Sequence, residues 1–69
     1  MKIGIVGLGK MGSALAQALS AKYEVVGYEK NTEAAAALRP SLLKKIKLEN
    51  SIDALVENTD VVIIATKPA

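Results

Sequence analysis

Three glycines are the first constraint on this chain, because they stand between a strand-like stretch and a helical pattern. They have the spacing G-x-G-x-x-G: Gly7, Gly9 and Gly12. The stretch before them, Lys2–Val6, lacks polar alternation, which is typical of a strand covered on both faces. After them, apolar residues recur at the spacing of one buried helical stripe: Met11, Leu15, Ala18 and Leu19. The sequence therefore predicts a strand, a tight loop and a helix.

Strands and helices alternate along the rest of the chain. The predicted helices run from Lys10 to about Ala21, from a cap at Asn31 or Thr32 to Leu38, and onward from a cap at Asn50 or Ser51. The predicted later strands are Glu24–Tyr28, Lys45–Leu48 and Asp60–Ala65. Pro40 is expected to stop the second helix. In the last helix the residues expected to face inward are Ile52, Leu55 and Val56.

This alternation predicts an α/β fold. The expected architecture is a Rossmann-like doubly wound parallel sheet with strand order 3-2-1-4, truncated after the fourth strand. Because the sequence stops there, we expect residues 1–69 to be a dinucleotide-binding domain, the N-terminal fragment of a longer enzyme. A lysine cluster near the third strand is interpreted as protection of a sheet edge: Lys44, Lys45 and Lys47.

The glycine spacing, between a strand and a helix, is the fingerprint of a loop that holds the pyrophosphate of NAD or NADP. The first glycine permits the turn, the second lets the diphosphate approach, and the third lets the helix pack closely. Free N–H groups at the helix start favour an anion. The predicted loop contacts to the cofactor are Gly7, Leu8, Gly9, Lys10, Met11 and Gly12. The alternative is a purely structural glycine turn.

Glu29 directly follows the second predicted strand, 22 residues after Gly7 and 17 after Gly12. At about this spacing a carboxylate accepts hydrogen bonds from the adenosine ribose. Its charge would repel a 2′-phosphate, so the sequence favours NAD over NADP. Lys30 could still accept a phosphate and reduce that preference. The alternative interpretation of Glu29 is a surface residue at a strand end.

Composition excludes several classes of site. The chain has no cysteine and no histidine, which excludes disulfides, thiolate or imidazole metal ligands and histidine acid–base catalysis. With Tyr23 and Tyr28 as its only aromatic residues and a net charge of +2, it offers no platform for nucleic acid. Its N-terminal apolar run is too short for a signal peptide or a membrane span. We therefore predict a cytoplasmic protein with neither nucleic-acid nor membrane partners and no metal site.

Three stretches together resemble pyrroline-5-carboxylate reductase: Lys2–Leu19, Asp60–Ala65 and the dipeptide Lys67-Pro68. The more specific signal is Gly12-Ser13-Ala14 combined with an ending that runs Ala65, Thr66, Lys67, Pro68. The resemblance implies that this ending lies along the ribose and nicotinamide side of the cofactor. The chain departs from the family at Glu29, where a small polar or basic residue suited to NADP is common. We also expect the family's helical C-terminal domain to lie outside these 69 residues.

The resemblance implies hydride transfer to a C=N bond in proline biosynthesis, and a homo-oligomer for the full-length parent. No catalytic residue is predicted, apart from a remote chance for Lys67, so we expect the 69-residue chain alone to be inactive. The nearest alternative family is prephenate dehydrogenase, because Gly27-Tyr28-Glu29 resembles the Gly-Tyr-Asp sequence at a strand end in that family. Two further alternatives are a non-catalytic NAD-sensing module and a chain trimmed for folding studies.

Overall fold

The computed structural model describes residues 1–66 and contains four strands and four helices in that range. The strands are β1 (Lys2–Val6), β2 (Glu24–Tyr28), β3 (Lys47–Leu48) and β4 (Val61–Ile64). The helices are α1 (Lys10–Leu19), α2 (Thr32–Ala36), α3 (Pro40–Leu43) and α4 (Ile52–Glu57). The first two strands have the predicted bounds. The third and fourth are shorter than predicted.

The strands form one parallel sheet in the order β3-β2-β1-β4. This is the order that right-handed crossovers predict for a doubly wound sheet, so the predicted fold class is confirmed. Strand β1 lies at the centre, where Ile5 pairs with Gly27 of β2 and with Ile63 of β4. The carboxyl ends of β1, β2 and β4 consequently meet at one end of the sheet.

Alternate residues of the central strands enter two separate cores. On the α1 side, Ile3 and Ile5 pack with Val25 and Ala16. On the opposite side, Val6 and Val26 pack with Leu55 of α4. Both faces of β1 are covered, which explains why its sequence lacks polar alternation.

The buried side of α1 differs from the predicted stripe. Gly12 and Ala16 are buried, and Leu15 and Leu19 are partly buried against the same core. Met11 is 77% exposed and Ala18 is also exposed, so these two assignments were wrong. Gly12 packs directly on the Gly7 carbonyl, so the row of α1 that faces the loop and the sheet is Gly12 and Ala16.

Pro40 begins a helix instead of only ending one. Helix α2 stops at Ala36, short of the predicted Leu38, and α3 starts with Pro40 in its first turn. Proline is well placed there, because the first helical N–H has no partner within the helix. Arg39 before it has φ −67° and ψ 138°, the extended conformation that a following proline favours.

Helix α4 buries one apolar residue rather than three. Ser51, one of the two predicted cap residues, caps it by accepting a hydrogen bond from the Ala54 N–H. Leu55 is fully buried, whereas Ile52 and Val56 are 47% and 50% exposed. The expectation that these two face inward was therefore wrong, because a helix of six residues presents only a narrow row to β1 and β2. No helix in residues 1–66 is long and apolar enough to cross a membrane.

Candidate nucleotide-binding site

The glycine loop joins β1 to α1 at the carboxyl end of the sheet, and two of its glycines are required by the fold itself. Gly7 has φ +96°, a conformation that residues with a side chain rarely adopt. A Cβ added at Gly12 would overlap the carbonyl oxygen of Gly7, so α1 packs directly on the loop. Gly7 and Gly12 therefore have structural reasons to be glycine.

Gly9 has no such reason. Its φ of −70° and ψ of −160° are open to any residue, and an added Cβ would meet no atom within 4 Å. The space in front of Gly9 is thus open to solvent and left free by the rest of the described chain. A glycine there keeps the backbone accessible to a molecule outside the fold.

The start of α1 presents backbone N–H donors at this open space that have no acceptor within residues 1–66. Gly9 is the N-cap, and no side chain in the described part of the chain caps the helix. The first backbone bond of the helix runs from the Ser13 N–H to the Gly9 carbonyl, at 2.8 Å. The N–H groups of Lys10, Met11 and Gly12 precede it and have no acceptor within the helix. Together with the helix dipole, they form an environment that favours an anion.

Glu29 follows β2 and contacts the loop through its carboxylate. Its Oε1 accepts a hydrogen bond from the Leu8 N–H at 2.6 Å. Its Oε2 accepts one from the Asn31 N–H at 2.9 Å. Lys30 beside it is exposed. The acidic residue singled out by its spacing therefore lies next to the glycine loop, as a ribose-binding residue would have to.

The end of β4 lies against the same loop. A Cβ on Gly7 would come within 2.8 Å of Thr66 Cγ2 and 3.2 Å of the Ala65 carbonyl carbon. The Ala65 N–H donates to the Val6 carbonyl oxygen at 2.8 Å and extends the pairing of β4 with β1. Lys67 and Pro68, which were also predicted to line the site, lie outside the described residues.

Sequence reasoning missed one neighbour of the loop, Arg39. A groove of about 450 Å³ runs from the loop between α1 and the α2–α3 segment, and Lys10 and Arg39 both line it. Among the described residues that line the groove there is no carboxylate. Arg39 is the residue that directly precedes α3, and α3 itself was not predicted. Pro40 is the signal in the sequence that predicts α3, because proline is common at the first position of a helix.

Comparison with known families agrees with this geometry. Residues 2–69 match the family described as NADP oxidoreductase coenzyme F420-dependent. This chain belongs to that family. The fold and the family together establish an NAD(P)-binding domain of the oxidoreductase type. Among the curated proteins, no relative of this family member was found.

Solved structures of dehydrogenases have the same fold. D-lactate dehydrogenase with NAD+ from Lactobacillus jensenii is 25% identical over 99% of this chain and 19% of its own, with a TM-score of 0.76. The 3-hydroxyacyl-CoA dehydrogenase of Archaeoglobus fulgidus is 31% identical over 97% of this chain and 25% of its own, with a TM-score of 0.80.

A third structure is UDP-N-acetylglucosamine 3-dehydrogenase from Acidithiobacillus ferrooxidans, which is 29% identical with a TM-score of 0.77. That match covers 96% of this chain and 21% of the enzyme. The chain thus spans about a quarter or less of the dehydrogenases that it matches. The three enzymes act on chemically different substrates, so the shared part is the nucleotide-binding fold.

Proposed function

We propose that the glycine loop of this chain holds the pyrophosphate of NAD and that residues 1–69 are the nucleotide-binding domain of a pyrroline-5-carboxylate reductase. Gly9 carries the proposal, because its open backbone is unexplained by the fold and fits a diphosphate. The proposed contacts are Gly7, Gly9, Lys10, Met11, Gly12, Glu29, Lys30, Ala65, Thr66, Lys67 and Pro68. Leu8, which the sequence also predicted as a contact, has its N–H and its carbonyl oxygen bonded to Glu29 and Ser13 and holds the loop instead. When bound, the nicotinamide supplies the hydride, and the chain's own residues bind and orient it.

Substituting Gly9 tests the site. Gly9→Val is expected to abolish NADH binding while the protein stays folded, since its side chain would enter open space where the diphosphate lies. Calorimetric titration measures the affinity, and circular dichroism checks the fold. Ala18→Val is the matched control, because it adds the same side chain to an exposed position of α1. Unchanged NADH affinity in a folded Gly9→Val protein would refute the proposal.

The choice of substrate rests on the resemblance of the glycine loop and the β4 ending to the reductase family. It is tested by grafting this chain in place of the matching segment of a pyrroline-5-carboxylate reductase. The graft is expected to oxidise NADH when pyrroline-5-carboxylate is added, and the same graft carrying Gly9→Val is expected to be inactive. If only a graft into prephenate dehydrogenase turned over, with prephenate and NAD, the rival assignment would replace this one.

A further inference from the structure

The carboxylate of Glu29 joins two segments that are far apart in sequence. One oxygen accepts from Leu8 in the loop after β1, and the other accepts from Asn31 at the start of α2. The first of these bonds spans 21 residues and is partly buried. Hydrogen bonds to an ionised acceptor are shorter and roughly twice as strong as neutral ones. Glu29 therefore connects the loop to the end of β2 with a strong contact.

Leu8 is the loop residue that this contact holds, and its other groups are also fixed. Its carbonyl oxygen accepts from the Ser13 hydroxyl at 2.8 Å, and its side chain is buried in the α1-side core. Just before it, the Gly7 N–H donates to the Tyr28 carbonyl oxygen at 2.8 Å. Leu8 thus anchors the loop, and its fixed backbone position determines where the following loop residues lie.

The donors that face the open space come directly after this anchor. They are the backbone N–H groups at the start of α1, which no described side chain caps. Glu29 occupies the N–H of Leu8 and leaves those later groups free. Its charge has two opposing effects on a diphosphate: it repels the anion, and it holds the loop in the shape that presents the donors.

We propose that Glu29 is a positioning residue that sets the shape of the glycine loop through the Leu8 N–H. This role does not require any contact between Glu29 and the ribose. Only the biological use of the role rests on the proposed cofactor function. It implies that Glu29 contributes to binding of the diphosphate itself, although it carries the same sign of charge. A carboxylate that served the ribose alone would weaken diphosphate binding.

Inorganic pyrophosphate separates the two roles, because it has no ribose. In calorimetric titrations of the full chain, Glu29→Ala is expected to weaken pyrophosphate binding about tenfold, as loss of a charged hydrogen bond predicts. Glu29→Gln keeps an oxygen for the Leu8 N–H and is expected to stay within about threefold of the parent. Glu33→Ala is the control for net charge, since Glu33 lies exposed in the first turn of α2.

Equal or tighter pyrophosphate binding by Glu29→Ala, relative to Glu33→Ala, would overturn the proposal. Nuclear magnetic resonance provides a readout without ligand. In Glu29→Ala the Leu8 amide is expected to exchange faster, and the amide signals from Gly9 to Gly12 are expected to shift. Unmoved signals there would also overturn it. A parent chain that binds neither NADH nor pyrophosphate contradicts the cofactor function, while the amide signals still decide the role of Glu29.

Discussion

At the scale of single residues, Glu29 is the residue that we propose distinguishes NAD from NADP. Its carboxylate is held against the loop by the Leu8 and Asn31 N–H groups, and a carboxylate has further lone pairs free to accept from ribose hydroxyls. A 2′-phosphate in the same place would meet its negative charge. Lys30 is exposed next to it and is the nearest cation in sequence.

We expect the chain to bind NADH more tightly than NADPH and Glu29→Ser to narrow the difference. The difference in binding free energy amounts to roughly 1.5–3 kcal/mol, the usual range for hydrogen bonds to charged groups. Both dissociation constants are measured at one ionic strength, because surface electrostatics are screened by salt. Since loosening of the loop would weaken the binding of both ligands alike, the ratio of their dissociation constants reports the ribose contact. A parent chain that prefers NADPH tenfold would contradict this assignment.

At the scale of elements, α4 shows how little surface holds a short helix to the sheet. Leu55 is its one fully buried side chain in the described structure, and it packs with Val6 and Val26. Ile52 lies one turn before Val56 on an exposed side of the same helix. The stability contributed by α4 is therefore concentrated at one position.

Leu55→Ala is expected to lower the free energy of unfolding by about 2–5 kcal/mol, because it leaves a cavity under α4. Ile52→Ala, in the same helix, is expected to change it by only about 0.5 kcal/mol. Urea unfolding followed by circular dichroism compares the two variants. Equal losses at both positions would show that Ile52 also faces the core.

The elements that were predicted correctly have strong local signals. The apolar runs of β1 and β2 and the cap at Ser51 depend on a few adjacent residues. The errors concern which side of a helix is buried, and this depends on contacts distant in sequence. Gly12, packed on the Gly7 carbonyl, is the residue that faces the loop, and its neighbour Met11 is exposed. Hydrophobic spacing alone does not predict such a contact.

For the site, the spacing of the glycines and Glu29 was sufficient to place them together. The hydrogen bond from Leu8 to Glu29 could not be predicted, because it depends on the register of β1 against β2. Arg39 was missed for a similar reason, since its position depends on the path of the chain through α3. Residue types and spacing therefore predict which segments meet, whereas individual contacts require the folded backbone.

At the scale of the whole molecule, the two edges of the sheet differ. Strand β3 is two residues long and carries Lys47, features that protect an edge from pairing with other chains. Strand β4 pairs with β1 on one side, and no described strand lies along its other side. Three of its apolar residues are exposed: Val61, Val62 and Ile64. Helices α1 and α4 pack mainly on β1 and β2, and within β4 Ile63 is the residue that packs against the α1-side core.

We therefore expect the purified chain to self-associate through β4 as its concentration rises. Ile64→Lys is expected to reduce this association, because it places a charge on a side chain that is 67% exposed. Leu48→Lys, at the opposite edge, is the matched control and is expected to leave it unchanged. Sedimentation velocity over a range of concentrations measures the effect. Equal behaviour of the two variants would locate the contact elsewhere.

Because of the hydrogen bond between Glu29 and Leu8, ligand binding to the loop is also linked to folding of the chain. Glu29 reaches the loop only when β1 and β2 are paired, so an unfolded chain has no organised loop to offer. A ligand that binds only the folded form stabilises it by about 2.7 kcal/mol at a hundredfold excess over its dissociation constant. That is a large share of the few kcal/mol, roughly 3–5, available to a core of this size. The melting temperature of the purified chain is accordingly expected to rise as NADH, its proposed ligand, is added.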